Sequence, residues 1–239
     1  QRQMCIRDSI LMGPQFDLLN TGNSNKLFCL ISSRHVIMVW WGTPCTSLST
    51  ARKLDGGPPP LRDSTDITLP SRWCNEAQVV KVLQANQLVE LTAKGIALGH
   101  SVGAKFVLEN PEFSKLWSWP TIVEILSITG AVRIMTHFCC WLNLSETPTN
   151  RPWLKPTAFV GTLPGLQRLA RQCSPVPWCR VHSVCHQTLQ GKHGDTWWTK
   201  LAEPYPHALC AAVVDLYRDL LADLLSLIHI SEPTRPSLI

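Results

Sequence analysis

The chain has 239 residues, 45% of them apolar and 16% charged, with a net charge of +5. That balance excludes a disordered chain and supplies enough apolar surface for a real core, while the charge permits an anionic partner without demanding one. No apolar run reaches the length of a membrane span, because Asp215, Arg218, Asp219 and Asp223 interrupt the greasiest stretch, Ala208 to Ile228. The ten cysteines, about 4% of residues, fall below the roughly 8–10% of a disulfide scaffold. Several sit inside apolar runs (Cys29, Cys139, Cys140, Cys210), where a reduced thiol behaves as a small hydrophobe, so a reducing compartment is expected.

The two ends stand apart from the rest. Residues 1–9 (QRQMCIRDS) and 225–239 (LSLIHISEPTRPSLI) resemble translated sequencing-adapter sequence. Leaving them out removes three arginines, one aspartate and one glutamate, so the net charge becomes +4. The expected domain is then 10–224, truncated at its N-terminus. Ile10-Leu11-Met12 is broken at once by Gly13-Pro14, so no signal peptide is read there.

In chain order, residues 24–33 read as a short helix, and Val36 to Trp41 as a strand buried on both faces, ended by the turn Gly42-Thr43-Pro44-Cys45. Residues 51–73, rich in Pro, Gly, Arg and Asp, read as a surface loop. A long helix is expected from Glu76 to about Gly99, followed by a strand at Lys105 to Leu108 that stops at Glu109-Asn110-Pro111. A helix at Ile122 to Ile128 and a strand at Ala131 to Cys140 follow, then a proline-rich loop at 145–157. Beyond it come a strand at Ala158 to Leu163, a helix at Leu166 to Cys173 and an irregular Cys/His/Trp-rich region at 173–207. Leu209, Val213, Leu216, Leu220 and Leu224 mark a closing amphipathic helix. Strands alternating with helices predict an α/β fold with a mostly parallel sheet.

In such sheets ligands bind at the carboxyl ends of the strands, where GTPC and ENP both fall. Strand-GTPCTSLS followed by strand-LENP resembles the cytosine-5 DNA methyltransferases, in the divergent form associated with mobile elements. The resemblance implies a Rossmann-like S-adenosylmethionine-dependent fold, a flipped cytosine in DNA as substrate, and a nuclear setting. It makes Cys45 the nucleophile, Glu109 the group contacting the target base, and Asn110 its neighbour in the site. Asp17, Pro44 and Tyr205 would lie on the cofactor side, Tyr205 through the segment Tyr205 to Cys210 that enters the last helix. The segment Asn150 to Thr157 resembles the family's basic, DNA-contacting segment, and the glycine-rich first motif would precede Ile10. Thr46, Leu48 and Pro111 stand where the family usually has Gln, Phe and Val.

The chemistry needs these residue types. A thiolate must attack C6 of cytosine while a carboxylic acid at N3 stabilises the developing charge. A helix N-terminus after GTPC would lower the Cys45 pKa, and apolar walls around Glu109 would raise its own. Arg52, Lys53, Arg62, Arg72, Arg151 and Lys155 are expected phosphate contacts.

Two further readings compete. One is a non-catalytic nucleic-acid-binding remnant of a retroelement polyprotein, and the other a thiol hydrolase pairing Cys45 with His137 or His186. Cys173, Cys179 and Cys185-His186, with His182 and His193 nearby, are spaced more widely than the usual two to four residues between zinc ligands. They read as a core of reduced cysteines, with no metal expected. Most of the ten tryptophans read as packing residues, Trp40 and Trp41 among them.

Overall fold

A computed structural model of the chain describes residues 13–50, 59–173 and 177–230, with side chains described for all of these except Phe16 and 227–230. Adapter-like residues 1–9 and 231–239, and the expected phosphate contacts Arg52 and Lys53, lie outside the described residues. The described chain divides into two units, one running to His137 and resuming at Lys155–Thr162, the other comprising Phe138–Leu154 and the chain from Leu163 onward.

In the first unit, helix α1 (Thr21–Ser32) starts where the Asn20 side chain accepts from Gly22 N. The long helix α2 (Glu76–Ser101) begins with a reciprocal capping box between Asn75 and Gln78. Helix α3 (Pro120–Thr129) carries proline at its first position and ends on Gly130 in the left-handed conformation. These helices accompany a four-stranded sheet made of β1 (Met38–Gly42), β2 (Lys105–Pro111), β3 (Val132–His137) and β4 (Pro156–Gly161), in the order β1-β2-β4-β3.

The fold is mixed α/β, and the expectation of a mostly parallel sheet is corrected. β1 and β2 are parallel, but β4 is antiparallel to both β2 and β3. The connections give the reason. β1 reaches β2 through α2, and β2 reaches β3 through α3, so all three strands run the same way. Between β3 and β4 the chain makes only two short 3-10 turns, Phe138–Cys140 and Leu144–Glu146, and returns antiparallel between β2 and β3.

The core of this unit joins Phe28 and Ile31 of α1, Trp41 of β1, Val89 and Ile96 of α2, and Phe106 and Leu108 of β2. Trp41 seats on α2 only because residue 95 is glycine, since a Cβ there would lie 2.4 Å from the indole ring.

The second unit holds two hairpins, β5–β6 (Trp178–Cys179, Val184–Cys185) and β7–β8 (Lys192–His193, Thr196–Trp197), and the helices α4 (Trp198–Leu201) and α5 (His207–Ile230). α5 buries Leu209, Leu216 and Leu220, as its periodicity requires. The helix expected at Leu166 to Cys173 is a single 3-10 turn, Leu166–Leu169, closed by an extended Ala170. Gly165 offers no side-chain cap, and so short a run does not offset helix nucleation. Among the described residues, no helix is long and apolar enough to cross a membrane.

Candidate active site at the carboxyl end of the parallel pair

The two strands that carry the sequence motifs are sheet neighbours. Gly42, last residue of β1, pairs with Glu109 of β2. A Cβ placed at Gly42 would lie 3.9 Å from Glu109 Oε2, so the carboxylate rests beside the backbone where β1 ends. Glu109 is half-buried, as is Cys45 three residues beyond Gly42.

Asn110 is buried and acts on the loop between them. Its Nδ2 donates to Thr43 O at 2.7 Å and to Glu109 O at 3.0 Å, while its buried Oδ1 has no partner among the described residues. Thr43 is held from a second side. Thr92 Oγ1 donates to Leu88 O at 2.8 Å, which leaves it to accept from the Thr43 hydroxyl at 3.0 Å.

Further along, Leu48 N donates to Cys45 O at 2.9 Å, Leu48 is buried, and Lys115 N donates to Leu48 O at 2.9 Å. Cys45 therefore opens a tight turn, and among the described residues that follow it, up to Thr50, there is no helix to supply the expected dipole. Asn110→Ala is expected to cost about 2 kcal/mol in urea unfolding, because it leaves the Thr43 carbonyl without its buried donor. Asn110→Asp, which keeps the shape and loses the amide donor, is expected to cost a similar amount.

Arg62 departs furthest from its expected role. It is 2% exposed, donates from Nη1 to Ile67 O and Asn86 Oδ1, both at 2.7 Å, and from Nη2 to Ser47 Oγ at 2.9 Å. Its guanidinium lies 5.1 Å from the Trp119 ring centre, and burial pulls its pKa down to about 10. The expected phosphate contact is thus an internal brace for the Cys45 loop. Residues 59–73 are correspondingly anchored, with a bridge between Arg62 and Pro70 and turns closed by Asp63 and Asp66. Arg72 is exposed and stacks on Trp73.

Asp17 caps a short 3-10 turn, Pro14–Phe16, and its Oδ1 accepts from Leu19 N at 2.9 Å. Next to it, Leu18, Ser24, Leu27, Phe28, Trp41 and Leu91 line a shallow, partly open and mostly apolar dimple. Pro44 is exposed beside Cys45, and Lys155 is half-buried in a left-handed backbone conformation.

Tyr205 and Arg151 belong to the second unit. Tyr205 packs against Phe138 at 5.8 Å, and the exposed Arg151 donates to Cys185 O and His186 O, both at 3.2 Å. His137 ends β3, three strand spacings or roughly 14 Å across the sheet from β1, too far for a direct dyad with a β1-end thiol.

The expected Cys/His group is rearranged. Cys173, Cys179 and His186 converge, Cys185 does not join them, and Cys139 from far earlier in the chain does. Sequence spacing could not reveal that fourth member. Burial, reinforced by the neighbouring thiols, pushes the Cys139 thiol well above its ordinary value. No family model matches the chain, and neither the curated proteins nor the solved structures contain a match to it.

Proposed function

We propose that this chain is part of a DNA cytosine-5 methyltransferase-like domain of Rossmann-like type, with Cys45 as nucleophile and S-adenosylmethionine as methyl donor. The observation that carries the reading is the pairing of Gly42 with Glu109, which sets the Cys45 loop and the Glu109 carboxyl at the same end of two parallel strands. That end is the ligand-binding end in open α/β sheets.

This reading gives each residue a role. Cys45, as thiolate, adds to C6 of a cytosine turned out of the duplex, and Glu109, when protonated, donates to N3. Asn110 and Thr92 position the loop through Thr43, and Arg62 braces it through Ser47. Bound S-adenosylmethionine would supply the methyl group for C5.

The residues present offer one polar contact for that cofactor, the Asp17 carboxylate, and no formed pocket for its ring. The dimple beside Asp17 encloses no space of its own, so it offers a mostly apolar wall rather than a formed pocket. Asp17 Oδ2, unpartnered among the described residues, can accept from an adenine amino group at its edge. Arg72, Arg151 and Lys155 remain the candidate phosphate contacts, with DNA as partner in a nuclear, reducing setting.

Incubation with S-adenosylmethionine and a 5-fluorocytosine duplex is expected to give an adduct that survives denaturing electrophoresis, and Cys45→Ser should abolish it. An adduct that persists in Cys45→Ser removes Cys45 from the mechanism. DNA binding without any adduct favours the non-catalytic reading.

A further inference from the structure

Four chemically matched side chains converge in the second unit from separate places in the sequence. Cys139 lies on the 3-10 turn Phe138–Cys140, Cys173 in the irregular chain after Leu166–Leu169, Cys179 at the end of β5, and His186 directly after β6. One ligand atom from each falls within 4.8 Å of all the others, and all four residues are buried. Cys173 Sγ stands 3.7 Å from Cys179 Sγ and 3.7 Å from His186 Nε2.

These separations have a specific meaning. Bonds of about 2.3 Å to sulfur and 2.0–2.1 Å to nitrogen at tetrahedral angles place neighbouring ligand atoms about 3.6–3.8 Å apart. A disulfide would need about 2.05 Å.

Backbone donors face two of the sulfurs. Arg180 N donates to Cys173 Sγ at 3.3 Å, and the backbone N–H groups of Val181 and His182 point to Cys179. That turn is closed by Ser183 N donating to Cys179 O at 2.8 Å, with Ser183 in the left-handed conformation. Each surrounding segment is tied down in turn. His186 N donates to Pro177 O at 2.7 Å, Arg151 holds the Cys185 and His186 carbonyls, and His182 Nε2 bonds Cys139 O at 3.0 Å. Among the described residues, the buried cluster here is made of the three cysteines, with Cys140 and Leu154 packed against it. Small, irregular regions of that kind are commonly held by a metal or by disulfides.

We propose that Cys139, Cys173, Cys179 and His186 bind one zinc ion in a closed structural site. Binding releases three thiol protons to solvent, the neutral imidazole donates through Nε2, and no electron changes hands, leaving a site of net charge −1. Three soft thiolates favour zinc over magnesium or calcium, and four protein ligands leave no open position for catalysis. The site is independent of the reading of Cys45.

Chain purified under reducing conditions without chelator should carry one zinc per molecule by elemental analysis. Replacement by Co²⁺ should give thiolate charge-transfer bands and the visible bands of a tetrahedral centre. Cys173→Ser and Cys179→Ser should lose both signals, whereas Cys140→Ser, Cys185→Ser and Cys45→Ser should keep them. A folded, zinc-free chain with all thiols titratable overturns the proposal, as does a Cys173–Cys179 disulfide or zinc retained in Cys179→Ser. Should the serine variants not fold, the native protein decides the matter. Chelation that unfolds the second unit supports the site, and zinc removal with no spectral change in the fold overturns it.

Discussion

Gly161→Ala is expected to destabilise the protein by about 3 kcal/mol, and Gly161→Val to prevent folding of the sheet. The reason is local and steric. A Cβ at residue 161 would lie 2.1 Å from Phe106 O and 2.9 Å from Val107 Cα. Both are backbone atoms of the neighbouring strand region, so no rotamer change relieves the clash. Gly161 pairs with Val107 of β2 and with Val132 of β3, so moving it disrupts both faces of the ladder. Gly103→Ala is the control, because Gly103 has φ +84° and no atom within 4 Å of its virtual Cβ. Its cost should be only the left-handed backbone strain, about 1 kcal/mol. Urea unfolding of the two variants separates crowding from conformational strain, and equal midpoints would disprove the close strand approach.

Arg62→Ala should cost about 3 kcal/mol of stability while leaving the salt dependence of any DNA binding unchanged. Removing the guanidinium strips donors from Ile67 O, Asn86 Oδ1 and Ser47 Oγ and opens a void against Trp119. A phosphate-contacting arginine would behave in the opposite way, lowering the salt slope by about one with little effect on folding. Measuring urea midpoints together with binding at several salt concentrations decides between the two. Arg62→Met, which keeps the stem but not the donors, should fall between wild type and Arg62→Ala in stability. The Cys45 loop should become more reactive to alkylation in Arg62→Ala, since Ser47 is released two residues from the thiol.

The legible parts of this fold were those set by local pattern. The apolar run before Gly42, the apolar spacing from Glu76 to about Gly99 and the leucine repeat of α5 all report on residues close in sequence, and the corresponding elements form. The direction of β4 was not legible, because a strand reads the same whichever way its neighbours run. Arg62 was misread for a related reason, since its loop composition says surface while its three acceptors come from Ser47, Ile67 and Asn86. In the candidate site, GTPC and ENP were visible as motifs, but the hold of Asn110 on Thr43 depends on strand register. Cys139 escaped notice because the other members of its cluster lie more than thirty residues downstream.

The reversed strand also sets an order of events during synthesis. β3 leaves the ribosome with no partner to pair with, since its sheet neighbour among the described residues is β4, which follows the segment Phe138–Leu154. A chain stopped at His137 would hold a two-stranded ribbon and an orphan third strand, its edge open to pairing with other molecules. Any shortened gene for the first unit must therefore extend through Thr162 and carry the intervening segment with it. Nascent chains halted between those two points should be the ones that recruit chaperones or aggregate.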